Sequence, residues 1–243
     1  MVEKKVWLVT GASRGIGLEV ARRVVAAGDR VALLSRGEAV LAVADELGKN
    51  AIGLQADVSD RESVQAAVDK VLECWGRIDS IVNNAGVHRG GKVERLKLED
   101  WHAVLDTNLT GALNVISASR SSLSEGSSIV NVGAVVGFRG FPGDSAYAAS
   151  KAGLAGLTRA LAIELAGKGI TVNLVIPGLV RTEMTEALSE RALVSMRNIV
   201  PLGRYGEAQE IAEVIEWVAR SRYMTGAFVP VDGGLLSSFG MPQ

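Results

Sequence analysis

The stretch VWLVTGASRGIG, Val6–Gly17, sets a short apolar run directly against a turn of small residues. The run Val6–Val9 predicts a strand buried on both faces, since no polar residue interrupts it. Gly11, Gly15 and Gly17 then let the backbone turn sharply and approach a bound group closely. A helix predicted over Ile16–Ala27 would aim its first amides at that turn, and a helix amino end favours an anion. Strand, glycine turn and helix in this order predict a diphosphate cradle at Thr10–Gly17. Its candidate contacts are Gly11, Ser13, Arg14, Ile16 and Gly17. The spacing departs from Gly-x-Gly-x-x-Gly, and a glycine turn is also an ordinary way to enter a helix.

The same alternation continues along the chain. Apolar, β-branched runs recur at Val31–Leu34, Ala51–Leu54, Ser80–Val82, Ser128–Val132, Thr171–Ile176 and Ala227–Val231. Helical patterns lie between them. Ser59 and Glu62 are spaced as a capping box, and Val64, Ala67, Val68, Val71, Leu72 and Trp75 form one stripe after it. Ile211, Ile215, Val218 and Ala219 form another after Gly206. Strand–helix alternation without a linker predicts an α/β, single-domain Rossmann-type doubly wound parallel sheet over residues 1–243. About seven strands and helices on both faces are expected. Ligands bind such sheets outside the carboxyl ends of the strands.

Composition narrows the function classes. The chain is 48% hydrophobic and 22% charged with a formal net charge of −1, which supports a large core and argues against a nucleic-acid binder. A single cysteine, Cys74, allows no intrachain disulfide and fits a cytoplasmic setting; it reads as a small apolar helix residue. No signal peptide or membrane-length apolar run is expected. His88 and His102 are too few and too far apart in sequence to suggest a metal site.

Three further strand ends fit a nucleotide. The second strand ends in Ser35 and Arg36, where an NAD site often carries an acid for the ribose hydroxyls. With Arg14 at the same corner, two guanidinium groups and a hydroxyl suit a 2′-phosphate, favouring NADPH/NADP+. Glu38 would repel that phosphate if it turned inward, and Arg36 as a solvated surface charge is the main alternative. Asp57 and Val58 end the third strand, with Asp57 an acceptor for the adenine amine. Asn83–Asn84–Ala85–Gly86 ends the fourth, where Asn84 can bridge strands and Ala85 and Gly86 leave room for a sugar; Asn83 is as readily a turn residue as a part of the site.

Tyr147 and Lys151 lie four residues apart, on one face of a predicted helix. A nearby cation favours the phenolate and lowers its pKa, so the pair is a plausible acid catalyst near neutral pH. Together, TGASRGIG, NNAG, Asn108–Gly111 (NLTG), YAASK, Pro177–Met184 (PGLVRTEM) and VDGG cover nearly the whole chain. In this order the chain resembles the short-chain dehydrogenase/reductase family. It is most similar to the 3-oxoacyl-acyl-carrier-protein reductase-like branch, acetoacetyl-CoA-type reductases included.

The resemblance implies roles. Tyr147 would protonate a carbonyl oxygen while NADPH delivers hydride to its carbon. Lys151 would bind the nicotinamide ribose and tune the phenol. Asn108 would kink its helix and hold a water; a helix-interior Asn capping a bend is the plainer alternative. Pro177, Gly178, Val180 and Thr182 would hold the nicotinamide. A family serine, thirteen residues before the tyrosine, falls on Ala134. Losing such a donor slows chemistry by about 10²–10³-fold; Ser145 is the nearest hydroxyl but matches no catalytic position.

Three explanations of Ala134 stand open: a deliberate knockout of a normal reductase, a natural slow variant or one using another donor, and a decayed dinucleotide-binding protein. The expected activity is a crippled or slow NADPH-dependent carbonyl reductase acting on a 3-oxoacyl thioester or lipophilic ketone. A ketone/alcohol dehydrogenase of the same family that does not act on thioesters is the alternative. Expected pocket residues are Val87, His88, Arg89, Val135, Phe138, Phe141, Leu179, Met184 and Leu188. The basic positions that read an acyl-carrier protein in the family fall on Glu125 and Lys168, one reversed in charge, so a carrier protein is a possible partner and a CoA thioester or free ketone a live alternative. The resemblance also implies a homotetramer (or homodimer), packed through helices at Glu99–Leu123 and Tyr147–Gly167.

Overall fold

Seven parallel strands form one sheet in the order β3-β2-β1-β4-β5-β6-β7. The strands are β1 (Val6–Thr10), β2 (Arg30–Ser35), β3 (Ala51–Gln55), β4 (Ser80–Asn83), β5 (Ser128–Val132), β6 (Thr171–Pro177) and β7 (Phe228–Val231). The computed structural model describes residues 4–181 and 190–238. The helices are α1 (Gly15–Ala26), α2 (Ala39–Leu47), α3 (Arg61–Trp75), α4 (Leu98–Leu105), α5 (Gly111–Ser119), α6 (Val136–Arg139), α7 (Ser145–Ala166), α8 (Glu190–Asn198) and α9 (Ala208–Arg220). The expected doubly wound parallel sheet is the observed one.

The apolar runs are continuous because alternate residues feed two different cores. Trp7 and Val9 of β1, with Val31 and Leu33 of β2, pack against α1 and α9 through Val20, Val24, Ile211 and Ile215. Val6, Leu8, Ala32 and Leu34 face the other way, onto Val64, Val68 and Val71 of α3 and Val115 of α5. All five β1 residues are buried, so an alternating polar pattern has no place there. A third cluster joins Leu154 and Ala155 of α7 to Leu174, Ile176, Val135 and Leu235.

Some local expectations change. Asp60, not Ser59, caps α3: its carboxylate accepts from the amides of Glu62 and Ser63, while the Ser59 hydroxyl donates to Asp57 Oδ1 at 2.6 Å. Asn83 fixes no turn; it lies in β4 and donates to Asn131 Oδ1 at 2.9 Å. Within Glu99–Leu123 the helix is broken by a π-helical turn at Asp106–Thr110 between α4 and α5, at the place where Asn108 is expected to kink it. Cys74 lies in α3, as its segment predicts, on the exposed face.

Candidate active site

The carboxyl end of β1 builds a backbone cradle. Gly11 (φ +63°) and Gly15 (φ +57°) occupy left-handed conformations, which a side chain would strain. A Cβ on Gly17 would lie 2.5 Å from the Gly11 carbonyl oxygen, so only glycine lets α1 start this close to β1. Arg14 occupies the N-cap of α1 in an extended conformation, and its side chain makes no capping bond. The first amides of α1 are therefore left for an anion. Asn84 stitches the cradle to β4: its Nδ2 donates to the carbonyls of Thr10 at 3.0 Å and Gly11 at 3.1 Å. The Thr10 hydroxyl accepts from the amides of Asn84 and Ala85. These bonds fix the turn between β1 and α1 against the end of β4.

The second and third strand ends meet beside it. Ser13 and Ser35 are joined through their hydroxyls at 3.1 Å, which brings positions 14 and 36 to one corner. Arg36 stands 3.9 Å from Asp57 Oδ2, largely in solvent, a geometry that holds it weakly. The other oxygen of Asp57 accepts from the Ser59 amide at 2.9 Å. Val58 is buried against Gly111, where a Cβ would come within 2.7 Å of it, and its carbonyl accepts from Asn114 at 3.0 Å.

Across the sheet, β4, the π turn and α7 converge. Asn108 is 2% exposed; its Oδ1 accepts from the Val87 amide at 2.8 Å, and its Nδ2 donates to the Val87 carbonyl and to Ser150 Oγ. Ser150 Oγ donates to the Tyr147 carbonyl at 2.7 Å. The π turn thus presents a side chain to the helix that carries Tyr147. Lys151, 4% exposed, donates to the Val132 carbonyl at 2.8 Å and lies 5.5 Å from the Tyr147 ring centroid. A Cβ on Gly86 would sit 3.4 Å from Asn108 Oδ1 and 3.6 Å from Lys151 Nζ. Ala134 follows β5 and accepts from the Gly137 amide at 3.1 Å. Gly137 in turn lies so close to α7 that a Cβ would come within 2.9 Å of the Lys151 carbonyl carbon.

The electrostatics run against the expectation of an acidified phenol. Burial pushes the Tyr147 phenol up to about 12, and the Asp144 carboxylate adds to the rise. Burial brings the Lys151 ammonium down to about 8. The lysine is hydrogen-bonded to a carbonyl rather than to the phenol, so desolvation outweighs its attraction. A lysine near 8 exchanges its proton in the physiological range, which suits a proton-relay group.

Gly178 is held where a Cβ would lie 2.6 Å from Asp232 Cα, and Val180 forms a parallel bridge with Gly206. Pro177 ends β6. Thr182, Met184 and Leu188 lie outside the described residues. Of the remaining pocket residues, Val135 is buried while Phe138 and Phe141 are 41% and 47% exposed. A separate cavity of about 460 Å³ opens beside β7, walled by Leu179, Val200, Arg204, Glu210 and Asp232. Ala134, Tyr147 and Lys151 are not in its walls, and of the expected pocket residues it includes Leu179 alone. Glu125 and Lys168 precede β5 and β6. Within one chain they therefore sit at the amino edge of the sheet, opposite Tyr147, and do not flank its cleft. No group of three His, Cys, Asp or Glu suited to a metal occurs among the described residues. No described helix is long and apolar enough to cross a membrane.

One contact was not legible in the sequence. His88 Nε2 meets Asp144 Oδ1 at 2.8 Å, and its ring stands edge-to-face on Tyr147 at 5.2 Å between centroids. The two residues are 56 positions apart, so no spacing signalled the pair.

A seven-stranded parallel sheet, a glycine cradle on its first strand and a Tyr–Lys pair facing a π-turn asparagine define a dinucleotide-type oxidoreductase scaffold. The sequence profile of the family described as "Enoyl-(Acyl carrier protein) reductase" matches residues 11–236. The chain belongs to the short-chain dehydrogenase/reductase family of oxidoreductases. It is 45% identical to carbonyl reductase family member 4 of Danio rerio, over 94% of this chain and 96% of that protein. It is 42% identical to the 3-oxoacyl-[acyl-carrier-protein] reductase FabG of Thermotoga maritima, over 97% of this chain and 99% of that protein. Among solved structures, a blue fluorescent protein from a metagenomic library, in complex with NADPH, superposes with a TM-score of 0.90 at 36% identity. That match covers 95% of this chain and 97% of the other. A Serratia marcescens short-chain dehydrogenase/reductase mutant gives 0.91 at 34% identity, covering 97% and 99%.

Proposed function

We propose that the chain is an NADPH-dependent carbonyl reductase, one dinucleotide-binding unit that reversibly reduces a 3-oxoacyl thioester or lipophilic ketone to the hydroxy product. The convergence of Tyr147, Lys151, Ser150 and Asn108 at the sheet's carboxyl edge carries this reading. The glycines let the turn pack tightly on its own backbone, since a Cβ at Gly11 would meet Ala85 and one at Gly17 the Gly11 carbonyl, and a turn this compact at the amino end of α1 supports a diphosphate site. Gly11, Ser13, Arg14, Ile16 and Gly17 would hold the diphosphate. Ser35 and Arg36 would take the 2′-phosphate, Asp57 and Val58 the adenine, and Asn84, Ala85 and Gly86 the adjoining sugar. Lys151, Pro177, Gly178, Val180 and Thr182 would hold the nicotinamide end. When bound, the reduced nicotinamide supplies the hydride.

The protein's own part is to hold and move a proton. Tyr147 donates its phenolic proton to the carbonyl oxygen as negative charge develops there, and Lys151, titrating near 8, resupplies it. An ammonium also stabilises the phenolate left behind. Ala134 presents a methyl where a hydroxyl would give the oxyanion its second hydrogen bond, so turnover is slow. Ala134→Ser is expected to raise kcat about 10²–10³-fold with a 3-oxoacyl thioester and NADPH. If neither form turns over any thioester, cyclic ketone or diketone, the chain is a dinucleotide-binding protein without catalysis. The same panel separates thioester from free-ketone use. Because Glu125 and Lys168 lie away from Tyr147, a CoA thioester or free ketone is favoured over a carrier-bound substrate; assembly as a homotetramer or homodimer and a cytoplasmic setting complete the proposal.

A further inference from the structure

The His88–Asp144 pair lies outside the residues assigned to the dinucleotide, and several contacts hold it in place. Asp144 is the N-cap residue of α7, but its side chain makes no capping bond; its carboxylate turns to His88 instead. The backbone clips the same two segments together, with the Gly91 amide donating to the Gly143 carbonyl at 2.7 Å. Gly90 leaves the space they need: a Cβ there would lie 3.1 Å from His88 Cε1 and 3.3 Å from Asp144 Oδ1. An ionised carboxylate only accepts, so Nε2 carries a proton in either charge state and Nδ1 takes the second one.

The charged surroundings of His88 are few. Asp144, at the N-cap of α7, and Tyr147, in its first turn, face it. Arg89, its neighbour on the same loop, is drawn away to Asp100 of α4 at 3.0 Å. Lys151 lies on the Tyr147 ring at 5.5 Å and bonds Val132. Asp144 raises the pKa of both His88 and Tyr147. A proton on His88 therefore offsets the carboxylate that opposes ionisation of the phenol.

We propose that His88, tied to Asp144, is the positioning residue for Tyr147: it fixes the ring by its edge and, when protonated, makes the phenol a readier proton donor. This deepens the reading of Tyr147 as the proton donor and rests on it. Reduction then runs faster below the His88 midpoint than above it, a pH dependence that belongs to neither Tyr147 nor Lys151 alone.

Two titrations test the pair without turnover. The chain has two histidines, so His102→Gln assigns the imidazole resonances in a proton NMR titration. His88 is expected to titrate above a free histidine, and Asp144→Asn to bring it back. Tyrosinate absorbance, read as a difference against Tyr147→Phe, follows Tyr147 alone. Asp144→Asn is expected to lower that midpoint by about one pH unit, and Asp144→Glu, which keeps the charge, to restore it. Asp144→Ser repeats the measurement in case the amide disturbs the fold. In the Ala134→Ser protein, kcat/KM for reduction should fall a few-fold as pH rises through the His88 midpoint. His88→Gln, which keeps a donor for Asp144 but no ionisable ring, should lack that step. Midpoints of His88 and Tyr147 unmoved by loss of the Asp144 charge would overturn the proposal. If the titrations move and no ketone is turned over, the pair stands and the reductase reading fails.

Discussion

The two halves of the cleft are made by different physics. The cradle at β1, α1 and β4 is a backbone object: Gly11 and Gly17 leave no room for a side chain, Gly15 is left-handed, and Asn84 ties carbonyls together. The reacting corner is a side-chain object, assembled from Asn108 on a π turn, Ser150 and Lys151 on α7, and His88 on the loop after β4. Backbone sites are protected by sterics and tolerate little change. Side-chain sites hold buried charge and polar groups at a cost in stability, and substitutions there separate function from folding.

That contrast yields opposite signs for substitutions of similar size. Gly17→Ala would drive a methyl 2.5 Å from the Gly11 oxygen. It is expected to lower stability by about 3 kcal/mol and to abolish NADPH binding, as urea unfolding and coenzyme titration would read. Lys151→Met acts the other way. Keeping a lysine charged at pH 7 when its pKa has dropped from 10.5 to about 8 costs about 3 kcal/mol; the stranded Val132 carbonyl offsets about 1 kcal/mol of the gain. The variant is expected to be inactive yet about 2 kcal/mol more stable at pH 7.

The pH dependence carries the same sign. Between about 8 and 10.5 the unfolded chain holds a proton on Lys151 that the folded chain has lost. Stability therefore rises with pH across that window. In Lys151→Met this rise is absent. Tyr147 opposes it only above its ordinary 10, where the unfolded chain ionises and the folded phenol, near 12, does not. The smallest effect belongs to neither half: Asp60→Ala removes the α3 cap and should cost about 1 kcal/mol with the reducing chemistry intact.

The same division explains what the sequence made legible. The strands could be read because both faces of β1 and β2 are buried, leaving unbroken apolar runs. The glycine turn could be placed because it follows an apolar run and precedes a helical pattern, an order that the glycines alone do not specify. The reacting corner was legible only in part. Tyr147 and Lys151 share a helix face, but the direction of the phenol's pKa depended on desolvation and on Asp144, which spacing does not report. Asn108 could be singled out, but not the π turn that carries it, because one inserted residue per turn leaves no periodic trace. Asn83 read as a turn residue because its partner, Asn131, lies on another strand 48 residues away. The α3 cap was misplaced by one residue because Ser59 and Asp60 are both good caps and only the Asp57–Ser59 bond decides between them.

The most direct measurement is single-turnover reduction of a 3-oxoacyl thioester by bound NADPH, comparing Ala134→Ser with Ala134→Ser/Tyr147→Phe at matched coenzyme saturation. A phenol that supplies the proton requires the double variant to be slower by about 10²–10⁴-fold with coenzyme affinity unchanged. Equal rates in the two proteins would mean that the proton comes from elsewhere and that Tyr147 is not the acid.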